Sequence, residues 1–365
     1  YDLSSSTNFA DLSGSPPQAS YISIVGRFVV LTGLLNNPYR IQWSGLGDST
    51  NWTSGSNSSD YQDLPDGGIV RGTAGGEFGA IFQESTIRRM TYIPGSPVIF
   101  QIDRVSQDCG LLAPYSLVSN GNRIFFLSST GFMKMELGGF PVPIGKERMD
   151  RTFLAGYDSG SIQLIIGATE PQATRVYWAY KSNNGTTGQT DKLLVYDFVL
   201  DKWGGTVATS GQYIASVSRP GLTLENLDSI SSSIDALTFS LDDVSTASLA
   251  ALSIMNSSNK LCFFTGSNLE AKIDTGEQQL NEQQRVRVKC IRPLTDSGQV
   301  YASVSTRERI QDAAVYTTEQ QVDIRGQCNQ NVSTRLARAR VRIPAGDTWS
   351  YASGVDASWT AEGRK

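Results

Sequence analysis

Chemistry in a protein chain needs groups that move protons, attack an electrophile or hold a metal, and this chain is poor in them. Its 365 residues include no histidine. That removes Ser-His-Asp and Cys-His nucleophile systems, imidazole-bound zinc and the commonest general base near neutral pH. Carboxylate, tyrosine and lysine chemistry stays open. The four cysteines, Cys109, Cys262, Cys290 and Cys328, form no CxxC pair, so free thiols on buried strands are expected rather than a zinc site or redox motif. Asp242 and Asp243 are adjacent, and neighbours on a strand point to opposite faces, so the two cannot converge on one substrate. The run Gly72 to Gly79 (GTAGGEFG) has the glycines of a phosphate loop without its GK[ST] ending, and it leads into another strand. A turn between strands is the expected reading. No catalytic residue, cofactor-binding residue or metal ligand is assigned, and the chain is expected not to be an enzyme.

Three further patterns could recognise rather than transform. Asp48-Ser49-Thr50-Asn51-Trp52 and Gly346-Asp347-Thr348-Trp349 resemble incomplete copies of the aspartate box of sialidase propellers, which sets an Asp and a Trp in a hairpin turn. No arginine triad with a Tyr nucleophile accompanies them. Tyr196, Trp203 and Gly204-Gly205 resemble one kelch blade, in which aromatics wedge between sheets. Arg285, Arg287, Arg338, Arg340 and Arg342 alternate with apolar residues. They could meet phosphate, but a solvated sheet face with acidic cross-strand partners is the simpler expectation. Asn-x-Ser/Thr triplets at Asn51, Asn57, Asn184, Asn256 and Asn331 are read as chance products of Ser/Asn-rich loops.

The elements that must position these residues are strands. Period-2 alternation runs through Arg285–Ile291 and Arg338–Ile343, as half-buried strands require. Thr246 to Met255 is the best helix candidate by composition, yet a strand is favoured there, because Asn256–Asn259 turns it straight into Lys260–Phe264. Apolar strand markers recur at Gly26, Glu77, Gly121, Thr174, Gly211, Asn259 and Gly298, 37 to 53 residues apart. That interval fits the blades of a β-propeller, each of which cannot bury both faces alone. The expected fold is all-β, a propeller of six or seven blades with long polar loops at Ser44–Asp60, Lys181–Thr190 and Ser229–Ser233. Acidic residues prevail from Pro220 to Glu282 and basic ones from Arg285 to Arg342. This marks either a domain boundary or sheets with complementary faces. The boundary reading gives blades over 1–282 and a basic β module, or closing blade, over 283–365. The net charge of −4 argues against a nucleic-acid coat, which needs a basic field. No apolar run is long enough to span a membrane, no signal-peptide pattern is present, and the Tyr1 start is read as a truncated N-terminus.

One resemblance covers most of the chain. It is carried by the order of Tyr39–Ser44 and Asn51–Thr53, then Phe82–Met90, Cys109–Ser116 and Phe125–Leu127. It continues through Thr130–Phe132, Pro143–Asp150 and Arg175–Trp178, then Phe263–Gly266, Leu269–Ala271 and Ile343–Gly346 with Trp349. In this order the chain resembles the propeller tail-hub, nozzle or packaged-DNA-stabilisation proteins of short-tailed double-stranded DNA bacteriophages. The resemblance implies a structural virion protein of the phage tail with no catalysis and no cofactor. Its implied partners are identical subunits in a ring, typically a hexamer, with a portal or adaptor above. Tail fibres, spikes or a needle attach to it, and double-stranded DNA passes through. The competing expectation is a carbohydrate-binding or sialidase-like propeller acting on a receptor, which calls for clustered exposed aromatics in a concave pocket. A cellular kelch-like scaffold is a third, weaker match, since it requires more uniform repeats.

Overall fold

A computed structural model describes residues 8–219, 227, 230–231, 233–237, 240, 249–264, 266–281 and 284–362. The Asp242-Asp243 pair, residues 246–248 and parts of the Ser229–Ser233 loop lie outside the described residues. Two compact units divide between Phe264 and Thr265.

The first unit is a run of five propeller-type blades. Each is an antiparallel meander whose strands pair mainly in chain order: residues 19–63, 70–106, 118–143, 166–211 and 213–263. The first three blades have four strands, the fourth has five, and three are described in the fifth.

The packing follows from alternation. On strand Arg123–Ser128 of the third blade, Phe125 and Leu127 join the core shared with the fourth blade. Their neighbours Ile124 and Phe126 join the core shared with the second. On strand Arg175–Tyr180, Val176, Trp178 and Tyr180 face the third blade while Ala179 faces the fifth. Phe28, Val30, Ile41 and Trp43 of the first blade meet Ile81, Met90 and Phe100 of the second. A strand buried on both faces keeps its apolar residues continuous rather than alternating, which is why RIFFLS and GAIF read as unbroken runs.

Glycine placement fastens the first two blades. Gly75 and Gly76 lie in the turn after strand Val70–Ala74, where the Gly26 N–H donates to the Gly76 carbonyl at 2.7 Å. A Cβ on Gly75 would run into the Ile24 backbone. The glycine-rich run is thus a turn between strands, as expected, and also a clip between blades.

The second unit is a two-sheet sandwich. Strands Ala271–Asp274, Leu336–Ile343, Tyr301–Arg307 and Val315–Tyr316 lie side by side, with two short strands at the margins. Cys328–Thr334, Val286–Thr295 and Ala352–Ala361 form the other sheet. Between them Val286, Val288, Ile291, Ala302, Val304 and Cys328 form a core.

This corrects the boundary expected at 282. Asp274 pairs in register with Arg340, and Gln278–Gln279 pairs with Leu336 and Ala337. The acidic stretch before 282 and the basic one after it therefore supply strands to one sheet. The change in charge marks complementary strands, not a domain edge. A unit with two sheets and its own core is also more than a single closing blade. The seven strand markers cover the five blades and one sheet of the sandwich: Gly211 and Asn259 precede the first and last described strands of the fifth blade, and Gly298 falls in the sandwich. The stretch judged between helix and strand contains strand Leu249–Met255.

Aromatic packing is densest between the third and fourth blades. Trp178 is fully buried, 4.7 Å from Phe132 and 5.7 Å from Trp203 by ring centroids. Trp178→Ala should cost about 3–5 kcal/mol, lowering the denaturant midpoint of the first unit, with equilibrium unfolding as the measurement.

Candidate functional site

The junction of the third and fourth blades holds a buried carboxylate, Asp150. Strand Gly131–Glu136 and the segment after it bring Gly131, Gly145 and Asp150 together. The buried Asp150 carboxylate accepts the Phe132 N–H at 3.0 Å. A Cβ on either glycine would strike that carboxylate. Burial pushes the Asp150 carboxyl above the ordinary carboxylate range, while the Phe132 hydrogen bond opposes the rise.

One turn away, Asp201 accepts the Tyr196 hydroxyl at 2.7 Å and an Arg148 guanidinium N–H at 2.8 Å. Those hydrogen bonds lower its carboxyl, and burial raises the Tyr196 phenol. Trp203 donates its indole N–H to the Ile144 carbonyl at 2.8 Å. Tyr196 and Trp203 act as the kelch-like reading expects, as packing between blades; their ring centroids lie 4.8 Å apart.

The outer end of this junction opens into a cleft of about 410 Å³. In the paired strands Arg123–Ser128 and Gly131–Glu136, Arg123 stands opposite Glu136 and Phe125 opposite Lys134. All four share one face, since positions two apart on a strand point the same way. Arg123 does not pair with Glu136; its guanidinium lies over the Phe198 ring at 5.2 Å. Phe140, 76% exposed, and Val142 complete the wall. Sequence reasoning missed this cleft. Its residues are scattered from 123 to 198, and only the strand register unites them.

At the same junction, Asp158 caps the 3-10 helix Ser159–Leu164, accepting the Gly160 N–H at 3.0 Å. It also accepts the Ser161 hydroxyl at 2.8 Å and the ammonium of the nearly buried Lys181 at 2.7 Å.

The motifs singled out in the sequence resolve mostly into scaffold. Asp48 accepts the Thr50 N–H and hydroxyl at 2.9 and 2.7 Å, and the buried Trp52 donates its indole N–H to Ser49 O. This is a local turn that ties down the Ser44–Asp60 loop. Asp347 is not a second copy: it accepts from Gln299 N at 2.9 Å and from the Ser297 hydroxyl, within the sandwich. Trp43 packs between the first two blades, Trp52 against Leu31 and Leu34, and Trp178 with Trp203 elsewhere, so the tryptophans do not converge on one pocket.

Of the alternating arginines, Arg285, Arg340 and Arg342 are held by acids, as the simpler expectation held, while Arg338 meets only an aromatic ring. Arg340 grips Asp274 through two hydrogen bonds of 2.7 and 2.8 Å and lies 3.9 Å from the Tyr316 ring. Arg342 binds Glu319 at 2.7 Å and stacks on Tyr301. Arg338 is 5.4 Å from Tyr316, Arg285 pairs with Glu308 at 2.7 Å, and Arg287 binds Asn331 at 2.7 Å. Asn51, Asn256 and Asn331 spend their amides on nearby partners. All four cysteines are free; Cys109 and Cys328 are buried, whereas Cys262 and Cys290 are half-buried. No group of His, Cys, Asp or Glu suited to a metal occurs among the described residues, and no helix among them is long and apolar enough to cross a membrane.

No family model matches the chain, and no curated protein matches it. Among solved structures, the chain is similar to the dihydro-heme d1 dehydrogenase NirN in complex with DHE. The TM-score is 0.35 and the identity 11%, over 86% of this chain and 57% of that one. It is also similar to an exo-β-1,3-galactanase from Phanerochaete chrysosporium bound to galactose, with a TM-score of 0.29 and 8% identity over 95% of this chain and 100% of that one. The tricorn protease follows at a TM-score of 0.17 and 9% identity, over 82% of this chain and 30% of that one. The chain spans little more than half of NirN. The all-β class rests on the sheet order above, and no activity is transferred from these proteins.

The Asp158–Lys181 contact sets a pH dependence. The hydrogen bond from Lys181, with those of Ser161 and Gly160, lowers the Asp158 carboxyl from 3.8 to about 2. A depressed folded-state value stabilises the fold above pH 3.8, and that contribution fades as pH falls through about 2. Asp158→Asn should therefore lower Tm at pH 6, with the gap to wild type narrowing on acidification towards pH 2. Thermal scans across that range check it.

Proposed function

We propose that this chain is a structural virion protein of a short-tailed phage. In this reading it forms a ring in the tail hub or nozzle that continues the DNA channel below the portal or adaptor and holds fibres, spikes or a needle. The supporting observation is what the phrases of the resemblance do in the fold. Thr130–Phe132 and Pro143–Asp150 make the Gly131–Gly145–Asp150 cage. Phe82–Met90 contains Gln83, whose amide binds the Leu64 and Gly68 carbonyls and accepts from Arg88. Cys109-Gly110 sets Gly110 against the Glu84 backbone, where no side chain fits. The phrases are thus fastening points of a rigid scaffold, as expected of a part that bears load rather than turns over substrate.

A second supporting feature is an open edge. Strand Ala352–Ala361, ten residues long, pairs only with Val286–Thr295 among the described strands and is exposed along most of its length. It carries neither Lys nor Pro, the residues that commonly blunt such edges. An open edge of this length suits contact with a neighbouring subunit. Rings need contacts between unlike surfaces that close on themselves.

Native mass spectrometry and negative-stain microscopy of the purified chain test the reading. A closed ring that docks on a portal–adaptor complex is the expected result. A strictly monomeric chain that does not associate with such a complex would sink it.

A further inference from the structure

The cleft between the third and fourth blades brings charges of both signs that lack an ion-pair partner against an aromatic wall. In the sandwich Arg285, Arg287, Arg340 and Arg342 have acids or amides as partners, and Arg71, Arg88 and Arg104 are ion-paired in the second blade. Arg123 and Lys134 have no carboxylate partner among the described residues, and Glu136 has no cation partner among them. Asp201 feels the charge of Lys134, but it is already held by Arg148 and Tyr196. The cleft therefore keeps two cations and one acceptor free beside an aromatic wall of Phe140 and Phe198.

Each part limits what could fill it. Two cations at neighbouring positions on one sheet face favour an anion, and a guanidinium fits a carboxylate through two parallel hydrogen bonds. A bare anion would be repelled by Glu136, so the ligand must also carry donors that a carboxylate can accept. Hydroxyl groups supply them. Phe140 keeps 76% of its surface in water, a cost that falls if an apolar ring face covers it. A cavity of about 410 Å³ lies at the small end of the range for ligand pockets. It holds one or two rings rather than an extended peptide.

We infer that this cleft is a binding site for an acidic saccharide. The sugar carboxylate lies against Arg123 and Lys134, ring hydroxyls donate to Glu136, and the C–H face of the pyranose packs on Phe140. No bond is made or broken. The site is independent of ring formation, so the two proposals fail separately.

A glycan array is the test, with uronic-acid and sialic-acid glycans beside the neutral glycans of the same linkage, read on the full chain. Acidic glycans should bind and their neutral counterparts should not. Binding should weaken as salt rises, since the contact is charged. Lys134→Met and Arg123→Leu should each weaken acidic-glycan binding at least ~10-fold, as loss of one charge-assisted contact predicts. Phe140→Ala should weaken it while leaving the preference for acid over neutral intact. All three positions lie at the surface, and unchanged thermal melting will show that the variants fold. Equal binding of acidic and neutral glycans, binding untouched by Lys134→Met, or no acidic glycan bound at all would each overturn the inference.

Discussion

Two-sided burial of the blades is the constraint on which the first unit depends. A blade of three to five strands is too thin to have an inside, so both faces must be covered by neighbours. The third blade meets this need by splitting one strand between two cores, with Phe125 and Leu127 on one side and Ile124 and Phe126 on the other. Aromatic residues dominate where the faces meet because they bury much area with few rotors. The glycines serve the same end: Gly75, Gly110, Gly131 and Gly145 mark places where backbone or a buried carboxylate comes too close for a side chain.

The polar network follows from this packing. Joining two blades traps polar groups that need partners, and the junction supplies them locally. Trp203 finds the Ile144 carbonyl, Tyr196 finds Asp201, and Asp150 takes the Phe132 N–H. The sandwich solves a different problem. Its outer face is wet, and there arginines, tyrosines and carboxylates from adjacent strands stack and pair, as on Asp274, Tyr316 and Arg340. Exposed pairs of this kind add little to stability; the core at Ile291 and Val304 carries the sandwich.

Much of the fold was legible because strands repeat with period two and blades with a longer period. RIFFLS and RVYWAY announced strands, and the Arg338–Ile343 alternation announced a strand with one wet face. The unit boundary was not legible. Composition shifts at 282, but strand pairing is decided by register, and Asp274 opposite Arg340 unites residues on both sides of the shift. The marker interval was similarly blind to whether a sheet joins the blade series or the sandwich. Of the site, the packing role of Tyr196 and Trp203 was readable from residue type. The cleft was not, because Arg123, Lys134 and Phe198 become neighbours only through pairing and blade stacking. The Gly131–Gly145–Asp150 cage left a signal as two ordered phrases, but nothing in the letters said that they touch.

The serial arrangement of the blades has a consequence for how the chain acquires its structure. Each core described in the first unit joins blades that follow one another along the chain. Such a molecule behaves as a one-dimensional array, in which order nucleates at one junction and spreads to the next. The junction of the third and fourth blades, richest in aromatic contacts, is the natural place to begin. Hairpins closed by short turns need little loop entropy to form there. From that junction order can spread both ways, back over the two blades already made and forward onto the fifth.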